Sequence, residues 1–295
     1  MKQKKSLGRK ILREILRLLY KLCSRLWTYA KGGKPMSKAE IAQDKADYTR
    51  LNADERFKLD NAWDYLCLED KYAQNGTSID KQYFIQDIWG AQKVLEYKPS
   101  VHYDVGSSVN GFIAHLLAQK QKVVLFDIRP MDNQFDTRFL KAGGGGGGVT
   151  YIQENATLLA GIADNSIESL SALCSVEHFG LGRYGDPIEP DAWEKALKSF
   201  QRVLKSKGRL FFSVPVASED RLCFNAHRIY KPQSIIDVLD EMQIIEMGYI
   251  PDTLDVVECM KWENESLQIN QNAIASLPAP HKRSYCTGLF AFEKK

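Results

Sequence analysis

The chain has 295 residues, of which 44% are hydrophobic and 26% charged. This composition fits an ordinary globular protein with one large domain, or one domain with an appendage. The six cysteines are scattered, with no C-x-x-C pair and no histidine cluster, which argues against a disulfide framework or a structural zinc site, so we expect no bound metal. The net charge of +3 arises from residues 1–34, which hold eleven Lys or Arg and one acid, whereas residues 35–295 hold 29 basic and 36 acidic side chains. The excess of acidic side chains in residues 35–295 argues against a nucleic-acid partner.

Residues 1–34 form a basic amphipathic segment. On a helical wheel its Arg and Lys side chains fall on one half and its Leu and Ile on the other, with Tyr20 and Trp27 near a boundary. No stretch approaches the roughly 18 uninterrupted apolar residues of a spanning helix, and charges interrupt every candidate core of a signal peptide. The pattern favours a helix over residues 6–31 on an anionic membrane surface, and the alternative is a helix docked on this protein or on a partner. We therefore expect a cytoplasmic protein, peripheral on the inner face of the membrane.

The remainder divides into a polar, helical cap over residues 35–98 and an alternating α/β region over residues 99–295. In the α/β region, short apolar strands alternate with amphipathic helices, which indicates a mostly parallel sheet. The last two predicted strands are joined by an irregular connection without a helix, which suits a final antiparallel strand inserted into the sheet. The predicted strands are 101–105, 122–127, 149–154, 169–176, 208–214, 243–250 and 284–293, and the predicted helices are 109–120, 190–206 and 232–242.

The first predicted strand, helix and second strand have the rhythm of a nucleotide-binding unit. In such a unit the first strand ends at a tight turn, where backbone N–H groups and a helix N-terminus meet the ligand. The turn here is DVGSS, with Gly106 followed by Ser107 and Ser108, whose hydroxyls can cap the helix. A dinucleotide pyrophosphate needs more glycines because the backbone must approach it closely. S-adenosylmethionine carries no phosphate, so its site tolerates serine.

Further residues at strand ends complete this candidate cofactor site. Asp127 ends the second predicted strand, 23 residues after Asp104, the distance expected for a carboxylate that bridges ribose hydroxyls. At the end of the third strand, Asn155 and Ala156 stand where similar enzymes often have Asp-Ala beside the adenine. The candidate cofactor-binding residues are Asp104, Gly106, Ser107, Ser108, Asp127, Ile128, Asn155, Ala156 and Ser175.

With DVGSS, DIRP, ENAT, SVEHFGLGRYGDP and GRLFFSVP in order at strand ends, the sequence resembles the class I S-adenosylmethionine-dependent methyltransferases. More narrowly, it is similar over about residues 80–295 to a methyltransferase-like family of unknown function found near bacterial polysaccharide genes and marked by EH-x-GLGRYGDP. The resemblance implies a Rossmann-like sheet and S-adenosylmethionine as the cofactor. Ser108 and Asn110 stand for two of the usual glycines, and Asn155 for the usual Asp.

The EHFGLGRYGDP segment supplies the candidate chemistry. Methyl transfer to a hydroxyl needs in-line positioning and removal of the hydroxyl proton as the oxygen attacks. His178 is the first candidate for the general base, with Glu177 orienting or assisting it. The alternative is a structural loop in which Glu177 pairs with Arg183.

Four side chains are candidates for binding the acceptor. Arg183 and Asp186 can hold sugar hydroxyls, Arg183 can instead meet a phosphate, and Tyr184 can stack on a sugar face. A second polar cluster, NAHRIY, follows the fifth predicted strand and is expected to face the same crevice. It offers His227 as the alternative base and Arg228 as an anion contact.

The leading hypothesis is an S-adenosylmethionine-dependent O-methyltransferase acting on a glycan or lipid-linked saccharide, or another hydroxylated small molecule, at the cytoplasmic membrane face. The alternative is a non-catalytic, methyltransferase-like protein that binds a glycan or serves as a scaffold in polysaccharide biosynthesis. The few glycines in the first turn favour the second hypothesis, and the dense EHFGLGRYGDP segment favours the first. An NAD-dependent oxidoreductase is the weakest hypothesis, because the first turn has too few glycines.

Overall fold

A computed structural model describes residues 35–68, 70–72, 80–107, 109–129, 148–251, 255–281 and 285–295. The predicted amphipathic helix at residues 6–31 and the candidate residue Ser108 lie outside the described residues. The chain divides into two compact units, residues 1–78 and 79–295. Among the described helices, none combines the length and the apolar character that crossing a membrane requires.

The described part of the first unit contains one helix, α1 (Lys38–Leu51), and three single turns at Glu55–Phe57, Asn61–Trp63 and Asp70–Tyr72. Helix α1 begins at a capping box, in which the Ser37 hydroxyl accepts the Glu40 N–H and the Glu40 carboxylate accepts the Ser37 N–H. None of its residues is buried. This unit is therefore less helical than the cap predicted over residues 35–98.

The second unit holds the sheet and its helices. The division places the helix at residues 81–97 in this unit, where the sequence analysis had assigned it to the cap. In chain order the elements are α2 (Lys81–Tyr97), β1 (His102–Val105), a wide turn (Val109–Ile113) continuing as α3 (Ala114–Ala118), β2 (Lys122–Asp127), β3 (Gly148–Gln153), β4 (Ile167–Leu173), α4 (Ala192–Val203), β5 (Leu204–Val216), β6 (Arg221–Cys223), β7 (His227–Ile229), α5 (Pro232–Val238), β8 (Met242–Ile250), β9 (Val257–Glu263), β10 (Ser266–Ile269), α6 (Gln271–Ala275) and β11 (Cys286–Lys294).

Nine of these strands form one sheet in the order β10-β9-β8-β11-β5-β4-β1-β2-β3. Strands β1 to β5 are parallel to one another, and β11 lies antiparallel between β5 and β8. The predicted Rossmann-like sheet with an inserted antiparallel strand is therefore confirmed. Strands β6 and β7 form a separate antiparallel pair.

The connection before β11 differs from the expectation, because it contains the hairpin β9–β10 and the short helix α6. Glu263 pairs with Ser266, so Asn264 and Glu265 form a two-residue turn, with φ angles of 50° and 62°. Such turns are usually marked by Asn-Gly, since both central residues need positive φ. Here glutamate stands in the glycine position, which concealed the hairpin in the sequence.

Apolar side chains are buried on both faces of the sheet. Along β5, Leu210 and Phe212 belong to one buried cluster, with Phe200 of α4, whereas Phe211 belongs to a second cluster, with Val94 of α2. Successive side chains of a strand point to opposite faces, so this alternation places helices on each side of the sheet. The strand order runs outward from β1 through β2 to β3 and restarts at β4 on its other side. In such sheets, ligands bind outside the carboxyl ends of the strands at this reversal.

Candidate active site

A cavity of about 620 Å³ lies at the carboxyl ends of β1 to β4. Its volume is in the range of protein sites for small molecules and cofactors. Most of the predicted cofactor-binding residues line it, namely Gly106, Ser107, Asp127, Ile128, Asn155, Ala156 and Ser175. The cavity is also lined by three residues that were not predicted from the sequence, namely Tyr83, Arg129 and Thr157.

The turn after β1 requires glycine at position 106. Gly106 has a φ of +68°, and its N–H donates to the Phe126 carbonyl at 3.0 Å. A Cβ atom added to Gly106 would lie 3.2 Å from the Ser175 Cβ. The turn after β1 therefore packs closely against the residues that follow β4. This turn is therefore a close-packed cradle on the cavity wall.

Asp104 supports this turn from beneath and does not line the cavity. It is buried, and its carboxylate accepts the Ser107 N–H at 3.1 Å and the Ser107 hydroxyl at 2.6 Å. Burial raises the pKa of Asp104 to about 6. The Ser107 oxygen in turn accepts the Leu173 N–H at 3.1 Å, which ties the turn to the end of β4. The expectation that Asp104 contacts the cofactor is thus replaced by a positioning role.

Asp87 of α2 holds the first helical turn after β1. A Cβ atom on Gly111 would lie 1.8 Å from the Asp87 Oδ2, so only glycine leaves room for this carboxyl group. Asp87 is buried, and burial raises its pKa, while a hydrogen bond from the Phe112 backbone N–H acts in the opposite direction. No sequence motif indicates this contact, because Asp87 lies on a separate helix that precedes the glycine turn in the chain.

Asp127 ends β2 at the cavity, as predicted, and is already paired with Arg129. The Arg129 side chain donates to both carboxylate oxygens, at 3.0 and 2.7 Å, and its N–H donates to Oδ1 at 2.9 Å. The guanidinium also lies over the Tyr184 ring, 4.6 Å from its centroid. Since a carboxylate has about four acceptor positions, three donors leave room for a further hydroxyl group.

Two other cavity residues offer polar groups to a ligand. The Asn155 Oδ1 accepts the Thr157 N–H at 2.9 Å. The side-chain amide nitrogen is therefore the group that Asn155 can present to an adenine ring. The Ser175 hydroxyl is buried and has no hydrogen-bond partner among the described residues. A buried hydroxyl without a partner is costly, which suits a ligand that supplies one. With the Gly106 cradle and Asp127, these groups fit an adenosine-containing cofactor such as S-adenosylmethionine.

Glu177 and His178 lie in a short turn after β4, with His178 on the cavity wall. The His178 Nδ1 is 2.6 Å from the Ala226 carbonyl oxygen and 3.1 Å from the Arg183 Nη1. A carbonyl oxygen can only accept, so the shorter contact assigns the proton to Nδ1. Burial lowers the pKa of His178 to about 4, which leaves Nε2 as an unprotonated acceptor at neutral pH.

Glu177 is only 2% exposed, and burial raises its pKa to about 8. Its Oε1 is 3.6 Å from the His178 Nε2, and its Oε2 has no hydrogen-bond partner among the described residues. The side chains of Glu177 and His178 are therefore close together, as expected. The alternative pairing of Glu177 with Arg183 is not present, because Arg183 donates to the Ala226 carbonyl at 2.8 Å.

The EHFGLGRYGDP segment owes its path to its glycines. Gly180, Gly182 and Gly185 all have positive φ, between +70° and +89°. The Asp186 carboxylate accepts the N–H groups of Gly180 and Tyr184. Asp186 therefore lines the cavity with a carboxylate that also holds its own loop, and its sugar-binding role stays a prediction.

Arg228 is likewise a structural brace and not an anion contact. Its guanidinium is buried and donates to the carbonyl oxygens of Phe179 at 2.6 Å and Pro190 at 3.0 Å. His227 does not line the 620 Å³ cavity. It lines a smaller adjoining one, and its ring packs edge-on against Tyr285 at 4.9 Å.

Two family models match the sequence. Residues 103–212 match a model described as a methyltransferase domain. Residues 162–267 match DUF268, described as a Caenorhabditis protein of unknown function. The predicted link to bacterial polysaccharide genes stays a prediction. A comparison with curated protein sequences gives no match.

Similar solved structures include a 1,6-didemethyltoxoflavin-N1-methyltransferase from Burkholderia thailandensis with bound 1,6-didemethyltoxoflavin and S-adenosylhomocysteine. It is 15% identical, with a TM-score of 0.48 and coverage of 89% of this chain and 92% of that chain. An S-adenosylmethionine-dependent methyltransferase from Clostridium acetobutylicum is 12% identical, with a TM-score of 0.43 and coverage of 74% and 93%. The N-methyltransferase NodS from Bradyrhizobium japonicum, in complex with S-adenosylhomocysteine, is 9% identical, with a TM-score of 0.44 and coverage of 71% and 87%.

The methyltransferase-domain match spans β1 to the middle of β5, which is the part of the sheet that surrounds the cavity. It favours the enzyme over the non-catalytic scaffold. Together with the Rossmann-like sheet, this match places a methyltransferase domain at residues 103–212.

Proposed function

We propose that this protein transfers the methyl group of S-adenosylmethionine to a hydroxyl group of a glycan or lipid-linked saccharide, with His178 as the general base. The observation that carries the proposal is the 2.6 Å contact between the His178 Nδ1 and the Ala226 carbonyl oxygen. Nδ1 is held by this carbonyl, so Nε2 is free to accept a proton at the cavity wall. Burial lowers the pKa of His178 to about 4, so the ring is neutral at physiological pH.

The cofactor would be held by the groups at the ends of β1 to β4. The Gly106 turn accommodates its close approach, Asp127 accepts ribose hydroxyls, and the Asn155 amide and the Ser175 hydroxyl face the remaining polar atoms. S-adenosylmethionine supplies a methyl group activated by a sulfonium. The protein's task is then to orient the acceptor oxygen in line with that methyl group and to take the hydroxyl proton at His178.

The base role of His178 is tested with His178→Gln. We expect kcat to fall by about 10²–10⁴-fold, the usual contribution of a general base, with unchanged affinity for S-adenosylhomocysteine. Transfer of tritiated methyl groups measures the first quantity and calorimetry the second. His115→Gln is the matched control, because His115 is an exposed histidine on α3 that does not line the cavity. Wild-type kcat in His178→Gln would exclude His178 as the base.

The membrane location rests on the basic amphipathic pattern of residues 1–34. A polybasic helix attracts anionic lipid and would hold the enzyme beside lipid-linked acceptors. Deletion of residues 1–34 should abolish sedimentation with vesicles containing anionic lipid, while the affinity for S-adenosylhomocysteine stays the same. Vesicle binding retained after the deletion would show that this segment is not the anchor.

A further inference from the structure

A second, small cavity of about 40 Å³ adjoins the cofactor cavity, and we call it the polar chamber. The two cavities share the lining residues Tyr83, Cys174 and His178. The chamber is lined in addition by Glu177, His227 and Tyr285, among others. Tyr83 is exposed, and His227 and Tyr285 are half-buried, so the chamber lies between the cofactor cavity and solvent-facing side chains.

Two buried polar atoms on the chamber wall have no hydrogen-bond partner among the described residues. They are the Glu177 Oε2 and the His227 Nε2. Leaving such an atom unpaired costs about 1–3 kcal/mol, which is unfavourable unless a bound group satisfies it. A carboxyl group and two imidazoles facing one small space suit a neutral group that both donates and accepts hydrogen bonds.

The spacing of Glu177 and His178 adds a position for that group. The Glu177 Oε1 and the His178 Nε2 are 3.6 Å apart, which is too far for a direct hydrogen bond. One oxygen atom at about 2.8 Å from each completes a triangle with ordinary hydrogen-bond lengths. A hydroxyl at this point can donate to the Nε2 of His178, a residue that also lines the cofactor cavity.

We propose that the polar chamber receives the reacting group of the acceptor, and that this group is a primary hydroxyl, carried by a hydroxymethyl carbon. The inference rests on the proposed function and names its substrate class. A space of about 40 Å³ holds roughly three water-sized atoms, enough for a hydroxymethyl end but not for a sugar ring. The ring would remain against the aromatic faces of Tyr83 and Tyr285.

The transfer balances without a further reactant. The hydroxyl oxygen forms the new C–O bond, and the C–S bond of the sulfonium breaks with its electron pair remaining on sulfur. The hydroxyl proton moves to the His178 Nε2. The cofactor cavity and the chamber meet at Tyr83, Cys174 and His178, so in-line displacement requires the methyl group and the hydroxyl oxygen to face each other there.

The experiment compares two probes, octyl β-D-glucopyranoside and its 6-deoxy counterpart, which keeps every secondary hydroxyl and lacks the primary one. We expect transfer of tritiated methyl groups to the first to exceed transfer to the second by about 100-fold or more, with the methyl ether on the primary carbon. Equal transfer to both, or an ether at a secondary position, would overturn the chamber proposal and leave the proposed function standing.

Binding keeps the test decisive if turnover is slow. Protein loaded with S-adenosylhomocysteine should bind the glucoside, and Thr287→Met should lose this binding while keeping cofactor affinity, because Thr287 is buried on the chamber wall. Thr150→Met, at an exposed position of β3, is the matched control. If Thr287→Met does not fold, Glu177→Gln is the second variant, because it preserves the shape of the side chain. It should lower the affinity for the glucoside. Failure of the loaded wild type to bind either glucoside would overturn the chamber and the glycan acceptor together, whereas failure to bind S-adenosylhomocysteine would overturn the proposed function itself.

Discussion

The site has two halves that differ in how their side chains are positioned. In the cofactor half, Gly106, Asp127 and Asn155 follow the ends of adjacent parallel strands and line the cavity, as the sequence predicted. The other half, which we propose holds the acceptor, is formed by the EHFGLGRYGDP loop and the β6–β7 pair. There the side chains of Asp186 and Arg228 hydrogen bond to backbone groups. The sequence had assigned both residues to the acceptor.

The difference follows from what holds each segment in place. Parallel strands in register bring their ends to one edge, so a residue at a strand end faces the crevice whatever the loops do. An irregular loop has no backbone ladder, and its polar backbone groups need partners from side chains. Charged residues in such a loop therefore often hold the loop itself, and a dense polar motif does not mean that every member meets the substrate.

Arg228→Met gives the largest expected effect and tests this contrast directly. It leaves the Phe179 and Pro190 carbonyls without their donor, so the free energy of unfolding should fall by about 2–5 kcal/mol in urea titrations. Arg183→Met should cost less than about 1 kcal/mol, because Arg183 is exposed. If Arg228→Met instead kept wild-type stability and lost only acceptor binding, the substrate role would be restored.

Asp127→Ala tests the cofactor half. Loss of a carboxylate that accepts ribose hydroxyls should weaken the binding of S-adenosylhomocysteine by about 100-fold in calorimetric titrations. The control is Asp164→Ala, because Asp164 is an acid that pairs with Arg202 and does not line the cavity. Unchanged affinity in Asp127→Ala would mean that this carboxylate serves to pair with Arg129 and does not bind the cofactor.

The pH dependence of stability tests the protonation state of Glu177. The carboxyl has a pKa of about 8 in the folded protein against an ordinary value of 4.5, so the unfolded chain releases this proton first. The contribution of Glu177 to stability is therefore present below about pH 4.5 and is lost as the pH rises towards 8. Urea midpoints between pH 5 and 9 should fall less steeply in Glu177→Gln than in the wild type.

The groups around Glu177 are also titratable or charged, so the comparison with Glu177→Gln is what isolates its contribution. They are His178, His227, Cys174, Tyr83, Tyr285 and Arg183. Parallel curves for the two proteins would show that Glu177 is ionised in the folded state across this range.

The sequence by itself determined the α/β class, the seven predicted strands of the sheet and the strand-end residues of the cofactor cavity. Period-two apolar patterns and the short glycine turn after β1 depend on local chemistry, which a sequence displays directly. The β9–β10 hairpin was missed because Glu265 adopts positive φ at a position where glycine is usual.

Only the tertiary structure decided which polar side chains meet the cavity and which hold the backbone. Asp87 reaches Gly111 from α2, and Arg228 reaches Phe179 from β7. Asp104, a candidate cofactor-binding residue, lies under the turn after β1. These contacts join residues that are distant in the chain or that differ only in the direction of a side chain. Burial, which sets the pKa values of Glu177 and His178 in opposite directions, is likewise a property of the packed molecule and not of any short motif.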